Sequence, residues 1–264
     1  MSKPVVLSEI DKRGVATVRL NRPEVNNAYN GEMIDALLKG VGALSLDDAV
    51  RVIVIRGNGR HFQAGADLNW IQENATKNLD ENLKISRATT NAVHGLTTCL
   101  KPTIALIHGG CFGGGTGIAS ACDILIAEEG AIFSISEARW GLAAIPIFPQ
   151  LLSRMGAGNL RRYSLSCERF GAKRAYEMGF IDELCGPGKL DETAAPIIDA
   201  LLHCPPDALA ATKAGILTFA GLNFSEKELE EMAQVHAKRR VSDSAAEGVL
   251  SFLEKRKPNW YPGD

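Results

Sequence analysis

The chain has 264 residues, long enough for one large domain or two small ones with a sizeable core. Its 45% hydrophobic and 23% charged content is that of an ordinary globular protein, and a formal net charge of -2 gives no reason to expect nucleic acid or a membrane surface as a partner. Six cysteines with no CxxC pair and five histidines with no ligand spacing argue against a metal site. No run reaches the roughly 18 apolar residues of a membrane span, and residues 1–14 lack both a signal core and an Arg-rich amphipathic stretch, so a cytoplasmic protein with reduced, structural thiols is expected.

Residues 5–8 and 15–20 read as strands around a turn at 11–14, a hairpin closed by the break Asn21-Arg22-Pro23. Apolar residues at Met33, Ile34, Leu37, Leu38, Val41 and Leu44 then carry helical spacing. VRVIVIR (50–56) is a continuous β-branched run of the kind buried on both faces of a parallel sheet, ended by Gly57-Asn58-Gly59. HFQAGADLNW (61–70) places the small residues Ala64, Gly65 and Ala66 ahead of another helix. Residues 71–100 are polar and helix-compatible up to Lys101-Pro102.

The segment 101–142 organises the chain. It holds an apolar run at 104–107, a glycine cluster from Gly109 to Gly117, a small-residue run with helical spacing, a second apolar run at 124–127, and then Glu137. These read as strand, tight turn, buried helix, strand and active-site loop. The βα alternation predicts an α/β fold with right-handed connections, without a repeat of fixed period. Beyond residue 150 strand signals become sparse, and helices are predicted over 149–155, 159–166, 172–178, 191–203, 206–219 and 225–240, with a firm break at Cys204-Pro205-Pro206. A core over 1–200 and a helical region over 201–264 follow, the latter with apolar faces that need the core or another subunit.

Glycine turns let backbone approach a ligand closely, and a helix starting in one leaves N–H groups without partners. Gly113 to Gly115 therefore read as backbone donors, and the small-residue turn at Ala64 to Ala66 repeats the device. Two such turns suggest a two-donor oxyanion hole for an acyl carbonyl. Gly114 to Ser120 also resembles a dinucleotide loop with Glu137 about twenty residues on, but it sits in mid-chain, and none of the four tyrosines has a lysine four residues later. His61 and His108 lie beside glycine turns but have no nucleophile motif, so both read as structural. Glu137 alone could be a solvated surface carboxylate. Its neighbours Phe133, Ile135, Trp140 and Leu142 favour instead an apolar setting that raises its pKa and suits a proton shuttle.

RPEVNNA (22–28), FQAGADL (62–68), KPTIALIHGGCFGGG (101–115), ACDILIA (121–127), SEARWGL (136–142) and FLEKRKPNW (252–260) together resemble the crotonase (enoyl-CoA hydratase/isomerase) superfamily, in family order and over nearly the whole chain. The resemblance implies repeated ββα units, a helical C-terminal region used to form homotrimers or hexamers, and an acyl-CoA thioester as substrate, coenzyme A being part of that substrate and no separate cofactor being expected. It implies that the N–H groups of Ala66 and Gly114 hold the thioester oxygen, that Glu137 handles the proton, and that Val25, Ala28, Ala64, Asp67 and Leu68 lie along the adenine and pantetheine. Lys255 and Lys257 are candidates for the CoA phosphates, with a solvated helix end as the alternative.

Two departures stand out. Two-carboxylate hydratases of the family carry a glutamate where this chain has Gly117, and the family's IPGGGGTQRL segment is replaced by AAIPIFPQLL (143–152). Single-glutamate members include Δ3,Δ2-enoyl-CoA isomerases and hydroxycinnamoyl-CoA hydratase-lyases. The second half of the chain also resembles bacterial methylglutaconyl- and isohexenylglutaconyl-CoA hydratases of leucine and acyclic terpene degradation. The resulting expectation is an enoyl-CoA hydratase adding water across the C2–C3 double bond, with branched, glutaconyl-type thioesters among the candidate substrates, and with a single-glutamate isomerase or hydratase-lyase, and then a non-catalytic acyl-CoA-binding scaffold, as alternatives.

Overall fold

A computed structural model describes residues 3–263. The first two strands, β1 (Val6–Ile10) and β2 (Val15–Leu20), form the expected antiparallel hairpin. Its turn is fixed by Asp11, whose Oδ1 accepts from the N–H groups of Arg13 and Val15, and by Gly14 at φ 83°. Helix α1 (Gly31–Leu46) starts where the Asn30 side chain accepts from Met33 N–H, and it buries Met33, Ile34, Leu37, Val41 and Leu44. Strand β3 (Val52–Gly57) runs parallel to β2.

After β3 come α2 (Leu68–Ala75) and α3 (Leu79–Thr97), the latter opened by an Asn78/Glu81 capping box. Strand β4 (Thr103–Ile107) is followed by β5 (Gly110–Phe112), α4 (Gly114–Ser120), β6 (Ile124–Glu128) and β7 (Ile132–Ser134). Next are α5 (Phe148–Ser166), β8 (Phe170–Gly171), α6 (Ala172–Glu177), β9 (Glu183–Cys185) and α7 (Leu190–His203). The chain closes with α8 (Pro206–Phe219), α9 (Glu226–Arg240) and α10 (Asp243–Leu253).

Strands β1-β2-β3-β4-β6-β9 make a six-stranded sheet, parallel after the hairpin, and β5-β7-β8 make a separate small sheet. The alternation within each strand sorts the large sheet's two faces. Ile53, Ile55, Ala105, Ile107 and Leu125 join the main core with α1 and α3, whereas Val52, Val54, Ile104, Leu106 and Ile126 pack on α7 through Leu190, Ala194 and Ile198.

The structure differs from the sequence expectations in three places. Part of the stretch expected to be active-site loop is the small sheet. The helices expected at 149–155 and 159–166 are one element, kinked where Gly156 adopts φ 70° and ψ 161°. Helix α10, capped by Ser242, has no counterpart among the expected helices. Of the helices after residue 205, α9 packs along α3 and α10 lies against α2 and the 3-10 turn Glu137–Trp140, so these two find in the core the partner their apolar faces need.

Candidate active site

The two small-residue turns meet. A Cβ on Gly113 would stand 3.7 Å from Gly65 Cα, so the backbone at 64–66 and at 113–114 is in direct contact. Both glycines have positive φ, 89° at Gly65 and 51° at Gly113, a region that L side chains rarely adopt. The first turn is braced by Gln63, a fully buried residue: its Oε1 accepts from Gly65 N–H at 2.8 Å and its Nε2 donates to the Gly65 carbonyl at 3.1 Å. The Gln63 backbone in turn bonds to Gly110 and Phe112 on both sides of a bridge to Cys111.

The hydrogen bonds leave a donor over in each turn. Tyr29 N–H donates to the Gly65 carbonyl and Asp67 N–H to the Tyr29 carbonyl, so the Tyr29–Ala66 bridge turns the Ala66 N–H away from its partner strand. Gly113 N–H is not available, contrary to the expectation that the whole run Gly113 to Gly115 donates: it is spent on the Ser134 carbonyl at 2.8 Å. Gly114, the first residue of α4, has no backbone acceptor for its N–H among the described residues.

Glu137 begins the 3-10 turn Glu137–Trp140, and its Oε1 would lie 3.1 Å from a Cβ placed on Gly113. Its Oε2 is buried without a partner. Burial pushes the carboxyl up to about 7, against an opposing pull from the Ser136 and Glu137 backbone N–H groups. The C-terminal helices hold this turn in place. Arg239 donates to the Gly141 carbonyl at 2.6 Å, the Trp140 and Phe252 rings meet edge to face at 4.2 Å, and Gly248 leaves room for the Trp140 backbone.

Ala66, Gly114 and Glu137 all line a cavity of about 210 Å³. Its walls are mostly apolar, drawn from α1, α3 and the 3-10 turn Ile145–Ile147, and its other polar groups include Tyr29, Ser136, His236 and Arg240. The Tyr29 ring packs against Gly114, its hydroxyl 3.2 Å from where a Cβ would be. Burial, with Glu137 adding to it and Arg240 opposing, raises that phenol to about 12, so it stays protonated. Ile147 fills the space beside Gly117: a Cβ there would run into its side chain.

Of the residues expected along the carrier, Ala64 and Leu68 line the cavity, while Val25, Ala28 and Asp67 lie outside its lining. Asp67 instead fixes local structure, since Oδ1 caps α2 through Asn69 N–H and Oδ2 pairs with Arg22 at 2.9 Å. Asn27, fully buried at φ 57°, ties the same loop to the carbonyls of Asn58, His61 and Phe62. Lys255 and Lys257 are exposed, three and five residues beyond the cavity-lining Phe252, and the Lys257 ammonium sits 4.1 Å from the Tyr261 ring centroid. His61 and His108 are structural, as expected: His61 Nδ1 accepts from Gly110 N–H at 2.7 Å and His108 Nε2 meets the Gly59 carbonyl at 2.9 Å. No group of three or more potential metal ligands occurs among the described residues, and no helix there is long and apolar enough to cross a membrane.

Two adjoining turns that each keep a backbone donor, beside one carboxylate with a buried oxygen, suit acyl-group chemistry through an enolate-like oxygen. The chain belongs to the enoyl-CoA hydratase/isomerase family, whose model matches residues 11–262. It is 30% identical to the mevalonyl-coenzyme A hydratase of Aspergillus fumigatus, over 94% of this chain and 92% of that protein. It is 29% identical to the peroxisomal Delta(3,5)-Delta(2,4)-dienoyl-CoA isomerase of Arabidopsis thaliana, over 91% and 90%. The crystal structure of an enoyl-CoA hydratase from Mycobacterium avium superposes with a TM-score of 0.85 at 34% identity, covering 98% of this chain and 100% of that one. Relatives of both reaction types therefore match at similar identity, and the choice between the two rests on the site.

Proposed function

We propose that the protein hydrates the C2–C3 double bond of an enoyl-CoA thioester, with Glu137 as its one acid-base group. The observation that carries this reading is the placement of Glu137 Oε1 beside Gly113, next to the Ala66 and Gly114 N–H groups, with Oε2 left unpartnered. The thioester oxygen accepts from both N–H groups, which stabilise the negative charge that grows on it. Removal of one such donor typically costs about 3 kcal/mol of transition-state stabilisation. Ionised Glu137 takes a proton from water as the oxygen adds to C3, and the π electron pair moves toward the thioester oxygen. Collapse of that enolate then takes the proton from Glu137 to C2, which returns the carboxylate. A carboxyl near 7 is suited to both halves, because its two protonation states are close in energy at working pH.

A second reading has its own observation. Ile147 stands over Gly117, where two-carboxylate hydratases place their other glutamate, and a single carboxylate suffices to move a proton between C4 and C2 in a Δ3,Δ2 isomerisation. Heavy-oxygen water separates the two. Hydration puts the label into a 3-hydroxyacyl product from a 2-enoyl-CoA, whereas an isomerase converts a 3-enoyl-CoA to its 2-enoyl isomer without label.

Under this proposal the carrier passes Ala64 and Leu68 on its way out of the cavity, along the loop that Arg22, Asn27 and Asp67 hold in shape. Titration with a CoA thioester and its free acid tests it, with binding expected for the thioester alone. The assembly expected with it is a homotrimer or a pair of trimers.

A further inference from the structure

Arg240 lies at the end of α9, 6% exposed, with its guanidinium on the cavity wall. Its Nε donates to Asn82 Oδ1 at 3.0 Å, and its charge sits 5.2 Å from the Trp70 ring centroid. The Asn82 amide is fixed in this orientation by its Nδ2, which donates to the carbonyls of Asn74, Lys77 and Asn78, so that Oδ1 faces the guanidinium. Among the described residues no carboxylate comes within ion-pair reach of Arg240.

A buried guanidinium satisfied by one neutral acceptor and a ring face is costly unless an anion completes it. Glu137 is not that anion. Its pKa is raised by burial, with no lowering by Arg240, whereas the Tyr29 phenol feels the charge of both. His236, one helical turn before Arg240 and on the same wall, has Nδ1 buried without a partner, and burial with Arg240 nearby lowers its pKa to about 3. It is therefore a neutral hydrogen-bonding group beside the cation, not a second charge.

Given the reading of this cavity as the acyl site of a CoA thioester, we propose that Arg240 anchors a carboxylate at the far end of the acyl chain, so that the substrate is a mono-CoA thioester of an unsaturated dicarboxylic acid. The thioester oxygen is held at the Ala66 and Gly114 end and the distal carboxylate accepts from the free Nη donors of Arg240. The apolar lining of the same cavity, including Ile71 and Val93, covers the connecting carbons. A neutral acyl chain of the same length would leave the guanidinium buried and unpaired.

The test uses saturated thioesters, which bind but have no double bond to react. Wild-type protein is titrated calorimetrically with glutaryl-, adipyl- and suberyl-CoA and with the ω-methyl ester of each. A preference for the acid over its ester of about tenfold or more at one chain length at least, falling to about twofold or less in Arg240→Met, is the expected result. Equal binding of acid and ester at all three lengths overturns the proposal without touching the hydratase reading, and so does a preference that survives Arg240→Met. Failure of every thioester to bind would sink both. The wild-type comparison stands even if the variant does not fold.

Discussion

Ile147 occupies the volume that any side chain at Gly117 would need. The replaced segment at 143–152 and the absent second glutamate are therefore one change: the 3-10 turn Ile145–Ile147 lays Ile147 across α4 where the second acid would project. Gly117→Glu should consequently not restore a two-carboxylate site. We expect overpacking to destabilise the fold by about 1–3 kcal/mol, seen as a lower thermal midpoint, with no gain in turnover. Gly117→Glu with Ile147→Gly should recover most of the lost stability. A single Gly117→Glu enzyme as stable as wild type would contradict this account of the site.

Glu137→Gln keeps the shape of the side chain and removes its basicity. Turnover should fall by about two to four orders of magnitude, the range of a positioned acid-base group, while CoA-thioester affinity changes little. Full activity in the variant would refute the proton path, whichever product the enzyme makes.

The raised pKa of Glu137 gives a pH signature of determinate sign. Folding moves this carboxyl from its ordinary 4.5 to about 7, so the folded state holds the proton more tightly than the unfolded chain does. Its contribution to stability is present in full below about 4.5 and is lost as pH rises through about 7. Activity runs the other way, because the ionised form is the base: kcat/KM for hydration should rise with pH through an inflection near 7. Denaturant titrations of wild type and Glu137→Gln across pH 4 to 8 would show the stability slope in the first and its loss in the second.

Much of the fold is legible in the sequence because its central strands are runs such as VRVIVIR, whose burial on both faces leaves no other reading. Glu137 and the two donor turns are legible for a similar reason: small residues ahead of a helix announce themselves locally. The small sheet is not, since strands of two or three residues such as Phe170–Gly171 carry no periodicity and their partners lie far away in the chain. Nor are Gln63, Ile147 and Arg240. Arg240 closes a basic run, Lys238 to Arg240, that looks like an ordinary helix end facing water, and only the tertiary packing of α9 turns Arg239 toward the Gly141 carbonyl and buries Arg240.

Gln63 supports a prediction about the oxyanion hole itself. Gln63→Leu keeps most of the volume but leaves the Gly65 N–H unsatisfied in a buried position, at a cost of about 1–3 kcal/mol, while the Gly65 carbonyl keeps only the Tyr29 N–H. Because the Gly65 turn sets the Ala66 N–H, turnover should drop more than thioester affinity does, as for a group that acts on the transition state. Equal losses in kcat and in ground-state binding would show that the brace merely holds the fold.

The helical tail carries the last prediction. Ile216 and Phe219 on α8 are 62% and 95% exposed, and Leu165 on α5 is 77% exposed, beside a groove lined by Phe148, Leu152, Leu222 and Phe224. Full burial of one large apolar side chain is worth about 1.5–3 kcal/mol, so a face of this kind in water is a standing cost for a lone protomer. Threefold closure would place that face against its copies and relieve the cost three times in one assembly. Sedimentation should therefore find a trimer or a multiple of three, and Phe219→Glu should shift it toward monomer by placing a charge in the contact. A wild-type chain that stays monomeric at micromolar concentration would count against the trimer and leave the exposure of Phe219 without a partner to explain it.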